Sequence, residues 1–210
     1  EGYHYLQSVV TRLTGHTDAM HCGRFELDYR VCATDFGEYM EAHVLRPFAM
    51  SRSGYVPTQE MTRNLATRHD KDGKAMTRHA STAIDVARYG AAGSLMTTAS
   101  DYAHFLIEVM QPKPPDESRL NAMSRALMLT PQIRLEGSPV RMSWALGWQI
   151  WHLDEGDLIA HGGDDVGWHC QSMFSDARKT GFVILTNGEG GAPMIFNELL
   201  KPLVSDFIVA

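Results

Sequence analysis

Hydrophobic and polar positions alternate with two different periods along the 210 residues, and the change of period divides the chain. In "GYHYLQSVVTRLTG" (2–15), Tyr5, Leu6, Val9, Val10 and Leu13 recur at helical spacing, and Gly15 is suited to a helix C-cap. The pattern predicts a buried helix with those five side chains facing inward. "DFGEYMEAHVLRPF" (35–48) opens on Asp35 with Glu38 three residues later, a capping box, and stops at Arg46 before Pro47, which predicts a second helix. Residues 16–34 hold no sustained period and read as an irregular excursion. Residues 51–92 are polar and interrupted by Ser53-Gly54 and Asp72-Gly73, the marks of a long surface segment. "TTASDYAHFLIEVM" (97–110) predicts a helix capped by Thr98 and Asp101, with Tyr102, Phe105, Leu106 and Val109 inward. A further helix is expected over 116–129, closed by Thr130-Pro131.

From 142 onward the period shortens to that of strands. "MSWALGWQIWHL", "DLIAHG", "GWHCQSMFS" and "TGFVILTN" are rich in Trp, Ile, Val and Phe and are separated by Asp-Glu-Gly-Asp, Gly-Gly-Asp-Asp and Ser-Asp-Ala-Arg-Lys turns. This predicts an antiparallel meander, and "APMIFNELLKPLVSDFIV" (192–209) adds a closing amphipathic helix. Helices followed by an antiparallel sheet make the fold class α+β, with a mainly helical and loop region over 1–141 and the meander with its helix over 142–210. No repeat or low-complexity tract marks a boundary inside the chain.

Composition narrows the function more than the fold. With 44% apolar and 21% charged residues the chain suits one globular domain or most of one. A formal charge of -6 with scattered cations leaves no footprint for nucleic acid or an anionic membrane, and no apolar run reaches the roughly 20 residues of a membrane span. Cys22, Cys32 and Cys170 lack the spacing of a zinc site. Cys22 and Cys32 could pair in an oxidising compartment or stay reduced, so compartment stays open. His16, His21 and Cys22 offer no convincing fourth ligand, and "HDKDGK" (69–74) lacks the distal glutamate of a calcium loop, so neither implies a metal. No cofactor is implied.

Two triplets remain as candidate chemistry. Lys179-Thr180-Gly181 lies in a polar turn between two apolar strands, where a lysine is a solvated cation rather than a group beside a reacting carbonyl. His161-Gly162-Gly163 ends an apolar strand instead. Two residues without side chains let a ligand approach the backbone, and a histidine can position or exchange a proton near neutral pH. Alone, this pattern also fits a histidine with a structural role.

The segments "GYHYLQSVVTRLTG", "DFGEYMEAHVLRPFAM", "GAAGSLMTTASDYAHF", "LTPQ", "ALGWQI", "HGGDDVGW" and "GFVILTNGEGG" follow one another as in the serine β-lactamase-like superfamily, which the chain resembles over nearly all its length apart from 16–34. That superfamily includes class C β-lactamases, D-alanyl-D-alanine carboxypeptidases, D-amino-acid peptidases and esterases of the same fold. Its third active-site motif reads Lys-Thr-Gly or His-x-Gly and precedes a Gly-aromatic pair and a strand ending Thr-Asn. Gly167-Trp168 and Thr186-Asn187 set that register, so the resemblance gives the motif position to His161-Gly162-Gly163 and makes Lys179-Thr180-Gly181 a decoy. It implies that His161 hydrogen-bonds a substrate carboxylate or leaving group, or orients the family tyrosine. It implies further that Gly162 and Gly163 line the edge that pairs with substrate, and that Asp164 gives its backbone N–H as half of an oxyanion hole. Leu146-Gly147-Trp148 is expected to pack the sheet behind the site, and residues 16–34 to lie near the cleft rim.

The implied activity is a serine hydrolase that forms an acyl-enzyme from an ester, amide or D-amino-acid peptide, closer to the esterases and peptidases than to true β-lactamases. Yet no Ser-x-x-Lys and no Tyr-x-Asn occurs in the 210 residues, and the resemblance puts the asparagine one position before Glu1. The expectation is a C-terminal part of a larger domain, whose partner is the missing N-terminal part of that domain and without which it does not fold stably. The alternative is a binding or scaffold domain of the same fold that has lost its nucleophile.

Overall fold

The computed structural model describes residues 2–14, 23–24, 30–31, 33–77, 89–111, 116, 118–138 and 140–205. Cys22, Cys32, His16 and His21, and positions 206–209 of the expected closing helix, lie outside them. Two compact units emerge, one of residues 1–66 and 78–101, the other of 67–77 and 102–210.

In the first unit, α1 (Gly2–Thr14) forms where the spacing predicts it, but with the opposite face buried. Gln7 and Thr11 are its buried residues, while Tyr5, Leu6 and Leu13 are 65%, 54% and 82% exposed. The reason is a polar contact: Gln7 Oε1 accepts the Ala91 N–H at 2.9 Å, and Gly90 approaches Gln7 and Phe36 so closely that a Cβ would lie 3.0 Å from each. Two short strands, β1 (Gly23–Arg24) and β2 (Arg30–Val31), pair antiparallel. Helix α2 (Ala33–Met40) widens into π-helical turns over Glu41–Leu45. It starts two residues before Asp35, which therefore lies in the first turn and not at the cap. Phe36 and Leu45 are buried, and Phe36 meets the Tyr55 ring edge-on at 5.0 Å. The polar segment after it is not wholly irregular: Thr58 caps a short helix, α3 (Gln59–Asn64), through the Met61 N–H. At the start of α4 (Ala99–Met110), Thr98 Oγ1 takes the Asp101 N–H as expected. The Asp101 carboxylate turns elsewhere, accepting from Arg52 N–H at 2.7 Å and Ser53 Oγ at 2.8 Å.

The second unit carries the sheet. Six antiparallel strands run in chain order: β3 (Ile133–Leu135), β4 (Met142–Trp144), β5 (Gln149–Leu153), β6 (Gly156–Asp165), β7 (Trp168–Ser175) and β8 (Thr180–Thr186). The meander is as expected, with three differences. "MSWALGWQIWHL" is two strands, because Gly147 at φ +83° turns the chain between them. Strand β3 has no periodic signal, since Ile133 and Arg134 are both exposed. Gly162-Gly163-Asp164-Asp165 continues β6 rather than turning; the turn is Val166-Gly167, with Gly167 at φ +73°. Helix α5 (Ala122–Leu129) begins only at Asn121, whose side chain accepts the Ser124 N–H, and Thr130 ends it as expected.

One face of the sheet packs Ile150, Ile159 and Phe174 against Leu106, Val109 and Met110 of α4, with Tyr102 and Phe105 partly buried beside them. Trp148 joins this core and meets the Phe174 ring edge-on at 5.4 Å, so of the Leu-Gly-Trp triplet Trp148 takes the packing role expected, while Leu146 is exposed. The other face buries Leu158, Ala160 and Met173 against Leu200 of the closing helix α6, which runs Gly191–Met194, Ile195–Leu199 and Leu200–Leu203.

Candidate functional site

His161, Gly162, Gly163 and Asp164 occupy four consecutive positions at the free end of β6, opposite Ser172, Gln171, Cys170 and His169 of β7. On the other side the ladder to β5 stops at Gln149 opposite Ala160. Among the described residues, β6 therefore has a strand neighbour on one edge alone from His161 to Asp165.

Which backbone groups face that open edge follows from the two turns. The β5–β6 and β6–β7 connections are two residues long, so their closing pairs, Leu153/Gly156 and Asp165/Trp168, are hydrogen-bonded pairs. Counting inward from either turn gives the same parity: odd-numbered residues of β6 bond to β7 and even-numbered ones point toward β5. Gly162 and Asp164 thus aim their N–H and C=O groups into the space beyond the end of β5. Among the described residues no strand pairs with them there.

The side chains around this edge are fixed from both faces. The His161 ring lies edge-on to Trp144 at 5.9 Å, and Ser172 Oγ donates to the His161 carbonyl at 3.0 Å. Burial pushes the His161 imidazole below its ordinary range, partly offset by a backbone hydrogen bond with Gly162, so the ring is neutral at pH 7. Gly162 sits in a tight place, where a Cβ would stand 2.7 Å from Gln171 Oε1, the tip of a side chain, and 3.1 Å from the Cys170 carbonyl oxygen. The Cys170 thiol is raised above its ordinary range by burial and by the Asp164 charge.

Sequence reasoning gave Asp164 a role through its backbone and missed its side chain. The carboxylate accepts from His169 Nδ1 at 2.6 Å, across the ladder. Among the described residues His169 Nε2 is buried without a hydrogen-bond partner, 3.9 Å from Glu189 Oε2. Glu189 in turn accepts the Gly167 N–H at 2.8 Å and donates its own N–H to the His69 carbonyl at 3.0 Å. The Asp164–His169 hydrogen bond braces the end of β6 that β5 leaves unsupported, and Glu189 holds the Gly167 turn beside it. The spacing Asp-x4-His across a hairpin turn was the available signal. "HDKDGK" forms a tight turn in which Asp70 accepts the N–H groups of Asp72 and Lys74.

Lys179 stands elsewhere. It occupies the β7–β8 turn with φ +57°, and its ammonium donates to the Met110 carbonyl at 2.6 Å and to Asp176 at 2.8 Å. The turn position is the expected one, but the charge is engaged rather than simply solvated: it ties the hairpin to the C-terminal end of α4, where carbonyls attract cations. Asp176 also pairs with Arg125, and although burial opposes it these two cations hold the carboxylate below its ordinary range. His161 shares its ladder row with Ser172 and Val183, and the turn starts after Ser175, three residues or roughly 10 Å further along. The two triplets are not in one site.

Comparison with known proteins follows the same lines. A family model described as Beta-lactamase matches residues 29–201. No curated protein sequence matches the chain. Among solved structures, an octameric penicillin-binding protein homologue from Pyrococcus abyssi superposes with a TM-score of 0.65 at 19% identity, over 82% of this chain and 38% of that one. A class C beta-lactamase gives 0.58 at 16% identity over 74% and 48%, and a D-alanine carboxypeptidase from Burkholderia cenocepacia gives 0.57 at 16% over 73% and 50%. The chain thus spans half or less of the length of these structural neighbours. Among the described residues no helix is long and apolar enough to cross a membrane.

Proposed function

The chain belongs to the beta-lactamase family, and from that premise we propose that it supplies the substrate-binding strand of a serine hydrolase working through an acyl-enzyme. The substrate class is an ester, an amide or a D-amino-acid peptide. The observation that carries this reading is the open edge of β6, where the Gly162 and Asp164 backbone groups point past the end of β5 beside the His161 ring.

An extended substrate aligned along that edge pairs with Gly162. The Asp164 N–H then lies where a carbonyl oxygen gains negative charge during attack, half of an oxyanion hole worth about 3 kcal/mol when well placed. Neutral His161 hydrogen-bonds the substrate carboxylate or the leaving group. The hydrogen bond from His169 to the Asp164 carboxylate keeps the Asp164 N–H from drifting. No Ser-x-x-Lys occurs in residues 1–210, so the reading places the nucleophile outside them. That same fact favours a second reading, a domain of this fold that binds such ligands without turning them over.

Turnover of a panel of p-nitrophenyl esters, nitrocefin and peptides ending in D-alanine, by residues 1–210 assayed together with the Ser-x-x-Lys segment that the hydrolase reading requires, separates the two. The hydrolase reading expects turnover of at least one substrate, falling roughly 100-fold in His161→Ala. Absence of turnover with retained peptide binding would establish the binding domain instead.

A further inference from the structure

Toward the other end of the sheet, three side chains form a hydrogen-bonded chain that the proposed function does not use. Ser143 Oγ lies 3.0 Å from His152 Nε2, and His152 Nδ1 lies 2.8 Å from Asp157 Oδ1. The register explains how strands β4, β5 and β6 bring them together. His152 sits directly opposite Asp157, and Ser143 is opposite Ile150, two residues before His152 on the same strand. All three side chains therefore stand on the face that also carries Ile150 and Ile159, with Ser143 in diagonal reach of the imidazole.

The direction of the protons follows from the groups themselves. An ionised carboxylate only accepts, so His152 Nδ1 carries the hydrogen that it shares with Asp157. The other nitrogen of a neutral ring is then an acceptor, and the Ser143 hydroxyl must donate to it. A serine hydrogen-bonded to a base that a carboxylate orients is an activated nucleophile. Burial follows the same gradient: Ser143 is 7% exposed, the His152 side chain 16% and the Asp157 side chain 57%. A cavity of about 340 Å³ lined by Leu129, Ile150, Asp157, Ile159, Asp176 and Ala177 shares Asp157 with the chain and has an apolar wall.

We propose that Ser143, His152 and Asp157 form a second nucleophilic site, which takes small esters with a short apolar acyl group. Ser143 Oγ bonds to the acyl carbon as its proton passes to His152 Nε2. The bond from that carbon to the alcohol oxygen breaks, and the departing oxygen takes the proton back from His152. Asp157 keeps its charge throughout and holds the ring in place.

The test is covalent labelling of the protein with a small alkyl fluorophosphonate, followed by tryptic mapping of the adduct. The adduct is expected on Ser143, in the peptide that starts at Met142, and Asp157→Asn and His152→Gln should slow its formation roughly 100-fold. Ser143→Ala should leave that peptide unlabelled with an unchanged near-UV circular dichroism spectrum. Should that variant fail to fold, the wild-type adduct position and the Asp157→Asn rate decide. An unmodified Ser143 in natively folded protein overturns the proposal, even if another serine is labelled. So does labelling of Ser143 at the same rate in both variants. Hydrolysis insensitive to His161→Ala, with Ser143 labelled, would defeat the β6 reading and leave this one standing.

Discussion

Replacing Lys179 separates its two possible meanings, a catalytic lysine or the anchor of a hairpin. Lys179→Ala removes two hydrogen bonds from a charged donor, one to the Met110 carbonyl and one to Asp176. In a buried setting each would contribute about 1.5–3 kcal/mol, but the lysine side chain is 39% exposed and Asp176 keeps Arg125 as a partner. A total near 1–2 kcal/mol is therefore expected. For a domain of this size that is about 3–6 °C in apparent Tm. The backbone supplies an internal control, because φ at this position is +57°. Alanine keeps the left-handed strain, about 1–2 kcal/mol, whereas glycine relieves it at some cost in unfolded-state entropy. Lys179→Gly should thus melt higher than Lys179→Ala, by about 0.5–1 kcal/mol. Thermal unfolding by circular dichroism gives the stabilities, and ester hydrolysis by the same variants assayed together with the segment that carries the nucleophile gives the activity. Activity should stay within about threefold of wild type in both variants, well short of the roughly 100-fold that loss of an acid–base group brings. A collapse of hydrolysis with Tm unchanged would refute the reasoning and return Lys179 to the active site.

Three other outcomes follow from the same structure. Burial depresses the His161 pKa, so its contribution to stability is present above the ordinary imidazole value near 6.5 and is lost as pH falls through the folded value; the urea midpoint should drop less between about pH 7.5 and about pH 5 in His161→Gln than in wild type, and identical slopes would count against a buried neutral ring. Asp101→Ala strands the part-buried Arg52 N–H and leaves the Ser53 hydroxyl with Thr97 Oγ1 alone, and should cost about 1–2 kcal/mol, read as a fall in the denaturation midpoint, whereas Lys71→Ala at the exposed turn should cost nothing measurable. Glu189→Ala removes the acceptor of the Gly167 N–H and should speed hydrogen exchange at Gly167 about 5–10-fold, while amides of β4 and β5 keep their wild-type rates.

Strong local patterns carried the fold. The sheet was legible because Trp, Ile, Val and Phe cluster in short runs between turn residues, and α4 was legible because Thr98 and Asp101 frame an apolar stripe. The hidden features depended on tertiary partners. α1 buries Gln7 and Thr11 because Ala91 offers a backbone donor, and no periodicity announces that. Gly162-Gly163-Asp164-Asp165 reads as a turn by composition, yet β7 pairs with it residue for residue. For the candidate site, the motif gave the strand and the position of His161. It could not show that β5 ends at Gln149, which is what opens the edge, nor that Asp164 is braced by His169 from the neighbouring strand. The chain Ser143, His152 and Asp157 is spread over 15 residues and three strands, so only the register brings it together.

Substrate pairing along the open edge of β6 is the step on which the proposed function rests. Two-dimensional amide NMR of the protein, titrated with an N-acylated peptide ending in D-alanyl-D-alanine, measures this directly. In the free protein the amides of Gly162 and Asp164 should exchange with solvent faster than those of Gly163 and Asp165, which bond to β7. On titration Gly162 and Asp164 should show the largest shifts and become protected. Shifts confined to the hairpin around Lys179, or slow exchange at Gly162 and Asp164 before any ligand is added, would contradict it.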